Sequence, residues 1–263
     1  MKRYLKPLYK ISPKLMLRLS IAKTRVKMAL PLGLSAHLPL IWERRANWLG
    51  ANLPEGKFPA NTFRAERMIE RCTSETQRLG GFLPHGIYGK DDLKRDAQMV
   101  RATRGLGRFY NWLVVNRKPE VVVEFGSAFG HSGMCWLAGL EENGAGELFT
   151  FEINPVLQKI AAKNLAAIGS RFLSFAGSFE DHLDEAIQDR KIDIALIDGV
   201  HTSAWVLPQF DTVVRRMKPG GIVIVDDIVL TDDMKSAWKT IAHDPRGAAA
   251  VAVDRTGVFE VAG

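Results

Sequence analysis

From Val121 to Val261 the apolar positions of this chain change period repeatedly. Short unbroken apolar runs alternate with stretches where apolar residues recur every three or four positions, the signatures of buried strands and amphipathic helices. The pattern predicts strands at Val121–Phe125, Glu147–Glu152, Phe172–Ala176, Ile192–Asp198 and Ile222–Val225. It predicts helices at 131–140, Pro155–Ile168, Phe179–Gln188, Leu207–Met217 and Asp232–Ala242. Pro155 stands at a favoured first helical position, and Gly169 closes the same helix. The final stretch, Ala249–Val253, Arg255-Thr-Gly257 and Val258–Val261, reads as an antiparallel hairpin. Five strand–helix units predict an α/β protein with a doubly wound, mostly parallel seven-stranded sheet, the hairpin forming an antiparallel edge.

The first 118 residues lack this alternation. Pro31, Pro39, Pro54 and Pro59 punctuate a loop-rich connector that holds Trp42 and Trp48. Asn61 is a plausible cap for a helix over Thr62–Leu79, which Gly80 and Gly81 stop. After a loop at 84–89, Asp91 or Asp92 starts a helix reaching about Asn116. The expected organisation is therefore an N-terminal extension at 1–60, a helical cap at 61–118 and a main domain at 119–263.

Charge changes the picture of the extension. Residues 1–45 hold eleven Lys or Arg and one acid, a balance of +10; the other 25 basic and 28 acidic residues leave −3 for 46–263. A mildly acidic domain thus carries a cationic head. Leu5, Leu8, Ile11, Leu15, Leu17, Leu19 and Ile21 are interleaved with those cations. That favours a helical or partly disordered segment that docks on a membrane surface, a partner or a second copy in a homodimer, over one that binds nucleic acid. Lys10, Lys14, Arg18 and Lys23 interrupt any apolar core, which argues against a cleaved signal peptide. Cys72 and Cys135 lack metal-ligand spacing and suggest a reducing, cytoplasmic setting, peripheral to a membrane if the head attaches.

The candidate chemistry lies at strand ends. In such sheets ligands bind beyond the carboxyl ends of the strands, and four of these ends carry acids: Glu124, Glu152, Asp198 and the pair Asp226-Asp227. After Glu124 comes the small-residue turn Gly126-Ser-Ala-Phe-Gly130, which opens a helix. Such a turn lets a ligand approach the backbone while the helix offers free N–H groups. Glu152, 26 residues beyond Gly126, can accept two ribose hydroxyls, as adenosine cofactors in general require. Dinucleotide binders favour a second glycine, where the pyrophosphate comes close. This chain has Ala128 there, which a cofactor without phosphates tolerates better.

Glu124-Phe-Gly-Ser-Ala-Phe-Gly130, Phe151-Glu152, Ile197-Asp-Gly-Val-His201 and Lys218-Pro-Gly-Gly-Ile-Val-Ile-Val-Asp-Asp227 resemble the successive motifs of class I S-adenosylmethionine-dependent methyltransferases. The branch they resemble is that of catechol and caffeoyl-CoA O-methyltransferases and their bacterial relatives. The resemblance covers about residues 85–263 and implies a Rossmann-like methyltransferase fold acting on a small hydroxylated acceptor. It implies that Glu124 and Gly126 lie beside the cofactor's methionine part, with Ser132 also in contact, and that Ser127, Ala128 and Gly130 of the turn bind the cofactor. Glu152 would bind the ribose, and Ser178 with Phe179 would border the adenine. It also implies a divalent cation, Mg²⁺ or Ca²⁺, held by Asp198, Asp226 and Asp227, where the family usually has Asp-Asn at the last pair. A lysine serves as base in the catechol type; His201 stands at that spacing, as base or as metal ligand. The role of Asp198 would be catalytic through that cation. His131 reads as a helix-start residue, and Asp232-Asp233 as a helix cap. Trp205 and Tyr88 are candidates for walls around the acceptor. The competing readings are a metal-independent methyltransferase using His201 alone on a sugar or natural-product hydroxyl, an NAD(P)-dependent oxidoreductase, and a non-catalytic docking protein. Ala128 and the lack of a Tyr-x-x-x-Lys pair count against the oxidoreductase, and the intact acid set against a vestigial domain.

Overall fold

The computed structural model describes residues 37–58, 64–82 and 94–263. Its strands are β1 (Leu40–Arg44), β2 (Val121–Phe125), β3 (Glu147–Glu152), β4 (Phe172–Ala176), β5 (Ile192–Ile197), β6 (Met217–Val225), β7 (Gly247–Val253) and β8 (Thr256–Val261). Its helices are α1 (Asn47–Asn52), α2 (Glu66–Gln77), α3 (Ala97–Val100), α4 (Arg104–Arg117), α5 (His131–Asn143), α6 (Pro155–Ala166), α7 (Phe179–Ile187), α8 (Ser203–Arg216) and α9 (Asp232–Ala242).

The strands form one sheet in the order β1-β7-β8-β6-β5-β2-β3-β4. Strands β2 to β6 run parallel, while β8, β7 and β1 pair antiparallel. Strand β2 is buried at all five positions, as a parallel strand covered on both faces must be. Its side chains divide by parity. Val122 joins the apolar layer under α4 and α5, and Val121, Val123 and Phe125 join the layer under α7, α8 and α9. Strand order reverses between β2 and β5, so the crevice expected to take a ligand opens beyond Phe125 and Ile197.

The expected mostly parallel sheet is present with its antiparallel hairpin, and it gains one strand. Leu40–Arg44, expected as connector, adds to β7 as an edge with alternating half-buried and exposed positions. The helix expected from Asp91 or Asp92 to Asn116 is broken. Asp96 caps the short α3, and Thr103 caps α4 by accepting from the Leu106 amide at 3.2 Å. Helix α8 begins at Ser203 rather than Leu207, with Pro208 inside it. Pro208, in the second turn, has no N–H to donate to the Ala204 carbonyl and so costs one helical hydrogen bond. The cap of α9 is Thr231, which accepts from the Met234 amide; Asp232 and Asp233 follow it in the first turn. No described helix is long and apolar enough to cross a membrane. The expectations for the cationic head up to residue 36, the Asn61 cap, Tyr88 and the helix start at Asp91 or Asp92 lie outside the described residues.

Candidate active site

Two groups of side chains meet at the switch point, one around the β2–α5 turn and one around the ends of β5, β6 and β8. The turn leaves β2 through Gly126 at φ 89°. A Cβ there would stand 2.2 Å from the Asp198 carbonyl oxygen, so both conformation and space demand glycine. The Gly126 and Ser127 amides donate to the Phe151 carbonyl at 2.9 and 3.2 Å, which ties the turn to β3. Ala128 holds a left-handed conformation at φ 45°, and its amide donates to Glu152 Oε2 at 2.8 Å. The other oxygen of Glu152 accepts from the Asn154 amide at 2.9 Å. A carboxylate held by two backbone N–H groups keeps lone pairs on both oxygens and points them in a fixed direction.

Glu124 is fully buried and accepts from the Thr150 hydroxyl at 2.9 Å. Burial pushes its carboxyl above the usual range, with the nearby Ser132, Thr150 and Trp136 donors acting in the opposite direction. Ser132 thus faces Glu124 from the first turn of α5. Within the described residues Glu124 Oε1 and Ser127 Oγ are buried without a hydrogen-bond partner. Orphaned polar atoms beside an open turn suit a ligand with polar groups of its own. Ser178 caps α7, accepting from the Asp181 amide and donating to the Asp181 carboxylate at 2.7 Å. Phe179 is buried and stacked on Phe125 at 3.8 Å between centroids, so its ring forms the floor of this region. His131 opens α5 as expected. Its ring is buried, with neither nitrogen partnered among the described residues, and burial, with Arg101 and Arg104, holds it well below its ordinary pKa and neutral.

The second group contains a residue that the sequence reading passed over. Arg255 lies in the two-residue turn between β7 and β8, where Val253 faces Thr256. Its Nη1 donates to Asp227 Oδ1 at 2.8 Å, and its Nη2 stands 2.7 Å from Asp226 Oδ2. The Thr256 hydroxyl donates to the other Asp226 oxygen at 3.1 Å. Asp227 adopts a left-handed φ of 54°. His201 Nε2 stands 3.7 Å from Asp198 Oδ1 and 3.8 Å from Asp227 Oδ2, between the two carboxylates but beyond hydrogen-bond length. Burial and the neighbouring Asp226 raise the Asp198 carboxyl well above its usual range. Burial also acts upward on Asp227, but Arg255 and His201 outweigh it and lower that group. Tyr110 of α4, buried and stacked on Trp136, has its phenol pushed up by burial and by Asp226 and Asp198. Trp205 is half-exposed in the first turn of α8.

The expected cation site finds no support in this arrangement. Asp198, Asp226 and Asp227 are brought to one rim, but the guanidinium of Arg255 spans two of the three. Among the described residues, no group of three His, Cys, Asp or Glu side chains is arranged to hold a metal ion. A divalent cation requires several oxygen ligands at short range, and the oxygens that would supply them face a fixed positive charge.

The sheet order, the switch-point turn and the acid-lined rim define a doubly wound α/β protein with a crevice at its switch point. Residues 123–228 match the profile of a family described as "Methyltransferase domain". A Mycobacterium sp. (strain JLS) protein inferred to be an O-methyltransferase is 32% identical over 127 residues, covering 47% of this chain and 55% of that protein. The chain spans about half the length of the curated O-methyltransferase relatives it matches. Two solved structures share the fold. An O-methyltransferase from Bacillus cereus in complex with S-adenosylhomocysteine has a TM-score of 0.59 and 18% identity, over 75% of this chain and 91% of that one. An O-methyltransferase from Streptomyces achromogenes involved in tomaymycin synthesis, in complex with S-adenosylmethionine, has a TM-score of 0.59 and 17% identity over the same shares. Residues 123–228 are thus similar to a methyltransferase domain, and the solved structures share its fold.

Proposed function

We propose that this chain transfers the methyl group of S-adenosylmethionine to a hydroxyl oxygen of a small molecule, with His201 as the base. The observation that carries this reading is the Glu152 carboxylate, fixed by the Ala128 and Asn154 amides beside an open turn at the switch point. Glu152 would take the two ribose hydroxyls. Gly126, Ser127, Ala128 and Gly130 would admit the methionine portion, with Ser127 Oγ and Glu124 Oε1 as the free polar contacts. Ser132 orients Glu124, and the α7 start at Ser178 and Phe179 would border the adenine. Bound S-adenosylmethionine supplies an electrophilic methyl group on a sulfonium.

The chain's own work is to present and deprotonate the acceptor. His201 Nε2, accessible at the rim, takes the hydroxyl proton. The Asp227 carboxylate, 3.8 Å away, stabilises the imidazolium that results, with Asp198 at 3.7 Å on its other side. Trp205 offers an exposed ring to wall an aromatic or apolar acceptor. We assign the described helices within residues 61–118 to the cap expected from the sequence and the cationic head to a peripheral surface contact.

The test is methyl transfer from labelled S-adenosylmethionine to a panel of small hydroxylated acceptors. His201→Ala should lower kcat about 10²–10⁴-fold with S-adenosylhomocysteine affinity unchanged. Labelled product carrying the methyl on nitrogen or carbon, or an undiminished rate in His201→Ala, would sink the proposal.

A further inference from the structure

We propose that Arg255 is the resident cation of this site, occupying the position between Asp226 and Asp227 and making acceptor binding independent of a divalent ion. The inference rests on the methyl-transfer reading above. Arg255 is not a loose surface side chain. It comes from a two-residue turn whose neighbours are paired on both sides, Val253 with Thr256 and Val225 with Gly257. Its own carbonyl accepts from the Ile228 amide at 2.9 Å, which locks the hairpin tip to the loop that carries Asp226 and Asp227.

The side chain is four-fifths buried, and its two terminal nitrogens are committed to different carboxylates at 2.7 and 2.8 Å. A guanidinium is planar, always charged and shaped to bridge two carboxylates in this way. Thr256 closes the remaining Asp226 oxygen, so that carboxylate has both oxygens engaged. A hard cation would have to displace Arg255 from both acids and leave its charge beside the ion. At such separations like charges repel strongly even when partly screened.

A consequence follows for the substrate class. A bound metal selects acceptors with two adjacent oxygens, because both can ligate it. A fixed guanidinium with its N–H groups directed at Asp226 and Asp227 makes no such demand. The acceptor suited to this rim is a molecule with a single reacting hydroxyl presented to His201, with no neighbouring oxygen required.

The deciding experiment is a Mn²⁺ titration of the full chain followed by electron paramagnetic resonance, with S-adenosylhomocysteine binding measured by calorimetry on the same samples. Wild type should bind no stoichiometric Mn²⁺, while Arg255→Met should bind one ion at least about tenfold more tightly than wild type. Adding Asp226→Asn to Arg255→Met should abolish the gain. One Mn²⁺ per wild-type chain, lost in Asp226→Asn, would overturn the proposal. So would a folded Arg255→Met that binds no ion. If Arg255→Met does not fold, Arg255→Gln replaces it, and the wild-type titration decides alone if neither folds. Failure of wild type to bind S-adenosylhomocysteine would instead remove the methyl-transfer reading and leave the assignment of Arg255 to stand or fall on the metal data.

Discussion

Gly126→Ala is expected to abolish cofactor binding and to destabilise the whole domain. The added methyl would stand 2.2 Å from the Asp198 carbonyl oxygen and 2.8 Å from its carbon, both backbone atoms that cannot rotate away. The φ of 89° is also unfavourable to any residue with a Cβ. Strain at such a position costs about 1–3 kcal/mol, and overpacking a closed space adds about 1–3 kcal/mol. Relief requires β2 and β5 to separate at their carboxyl ends, which opens the crevice where Glu152 and the turn must act together. Thermal unfolding and S-adenosylhomocysteine calorimetry would show a lowered Tm and no saturable binding. A variant with wild-type Tm and affinity would show that the turn is not constrained in this way.

Glu66→Ala should be the most damaging substitution away from the site. Arg108, whose side chain is fully buried, donates to the Glu66 carboxylate from Nε at 3.1 Å and from Nη2 at 3.2 Å. Arg104 stands 3.6 Å from both Glu66 and Glu70, and Arg101 donates to Glu70 at 2.8 Å. These groups bind α2 to the start of α4, which packs on α5 behind the β2–α5 turn. Removing Glu66 leaves a buried guanidinium without its carboxylate, at a cost of about 3–5 kcal/mol. That corresponds to a Tm loss of roughly 6–20 °C. The exposed Arg71–Glu75 pair on the same helix is the control, since Glu75→Ala should leave the Tm nearly unchanged. Equal losses in the two variants would contradict the account.

The same network sets an acid limit. Burial raises the Glu70 carboxyl, but hydrogen bonding and charge from Arg101 and Arg104 outweigh it, and the net shift is downward. A carboxyl lowered in the folded state stabilises the fold above its unfolded value, and that contribution is lost as pH falls through the folded one. Denaturant unfolding should show stability falling below the ordinary carboxylate range, with Glu70→Gln flattening the decline.

Sequence and structure agree most closely where local pattern and long-range packing say the same thing. The β-branched runs of β2 and β5 are buried on both faces, and Asn154-Pro155 starts a helix by local chemistry alone, so their positions could be read directly. Strand β1 escaped because its pairing partner, β7, lies some two hundred residues away and its flanking Pro39 suggested a loop. The break between α3 and α4 had a signal in Asp96 and Thr103, two capping residues inside an apolar period that otherwise runs on. Glu124, Glu152, Asp198 and Asp226-Asp227 were legible because each ends a strand. Arg255 was not, since its meaning depends on β8 folding back beside β6 and delivering a turn residue to acids 28 and 29 positions earlier. Tyr110 is hidden for the same reason, as a core aromatic of α4 that reaches the acids only in three dimensions.

The central claim is that the β2–α5 turn and Glu152 hold S-adenosylmethionine. Calorimetry with S-adenosylhomocysteine and NADH, on wild type and Glu152→Ala, tests it most directly. The account predicts one S-adenosylhomocysteine per wild-type chain, no NADH binding, and a loss of about ten- to a hundredfold in Glu152→Ala as the charged hydrogen bonds to the ribose disappear. Binding of NADH in place of S-adenosylhomocysteine, or unchanged affinity in Glu152→Ala, would contradict it.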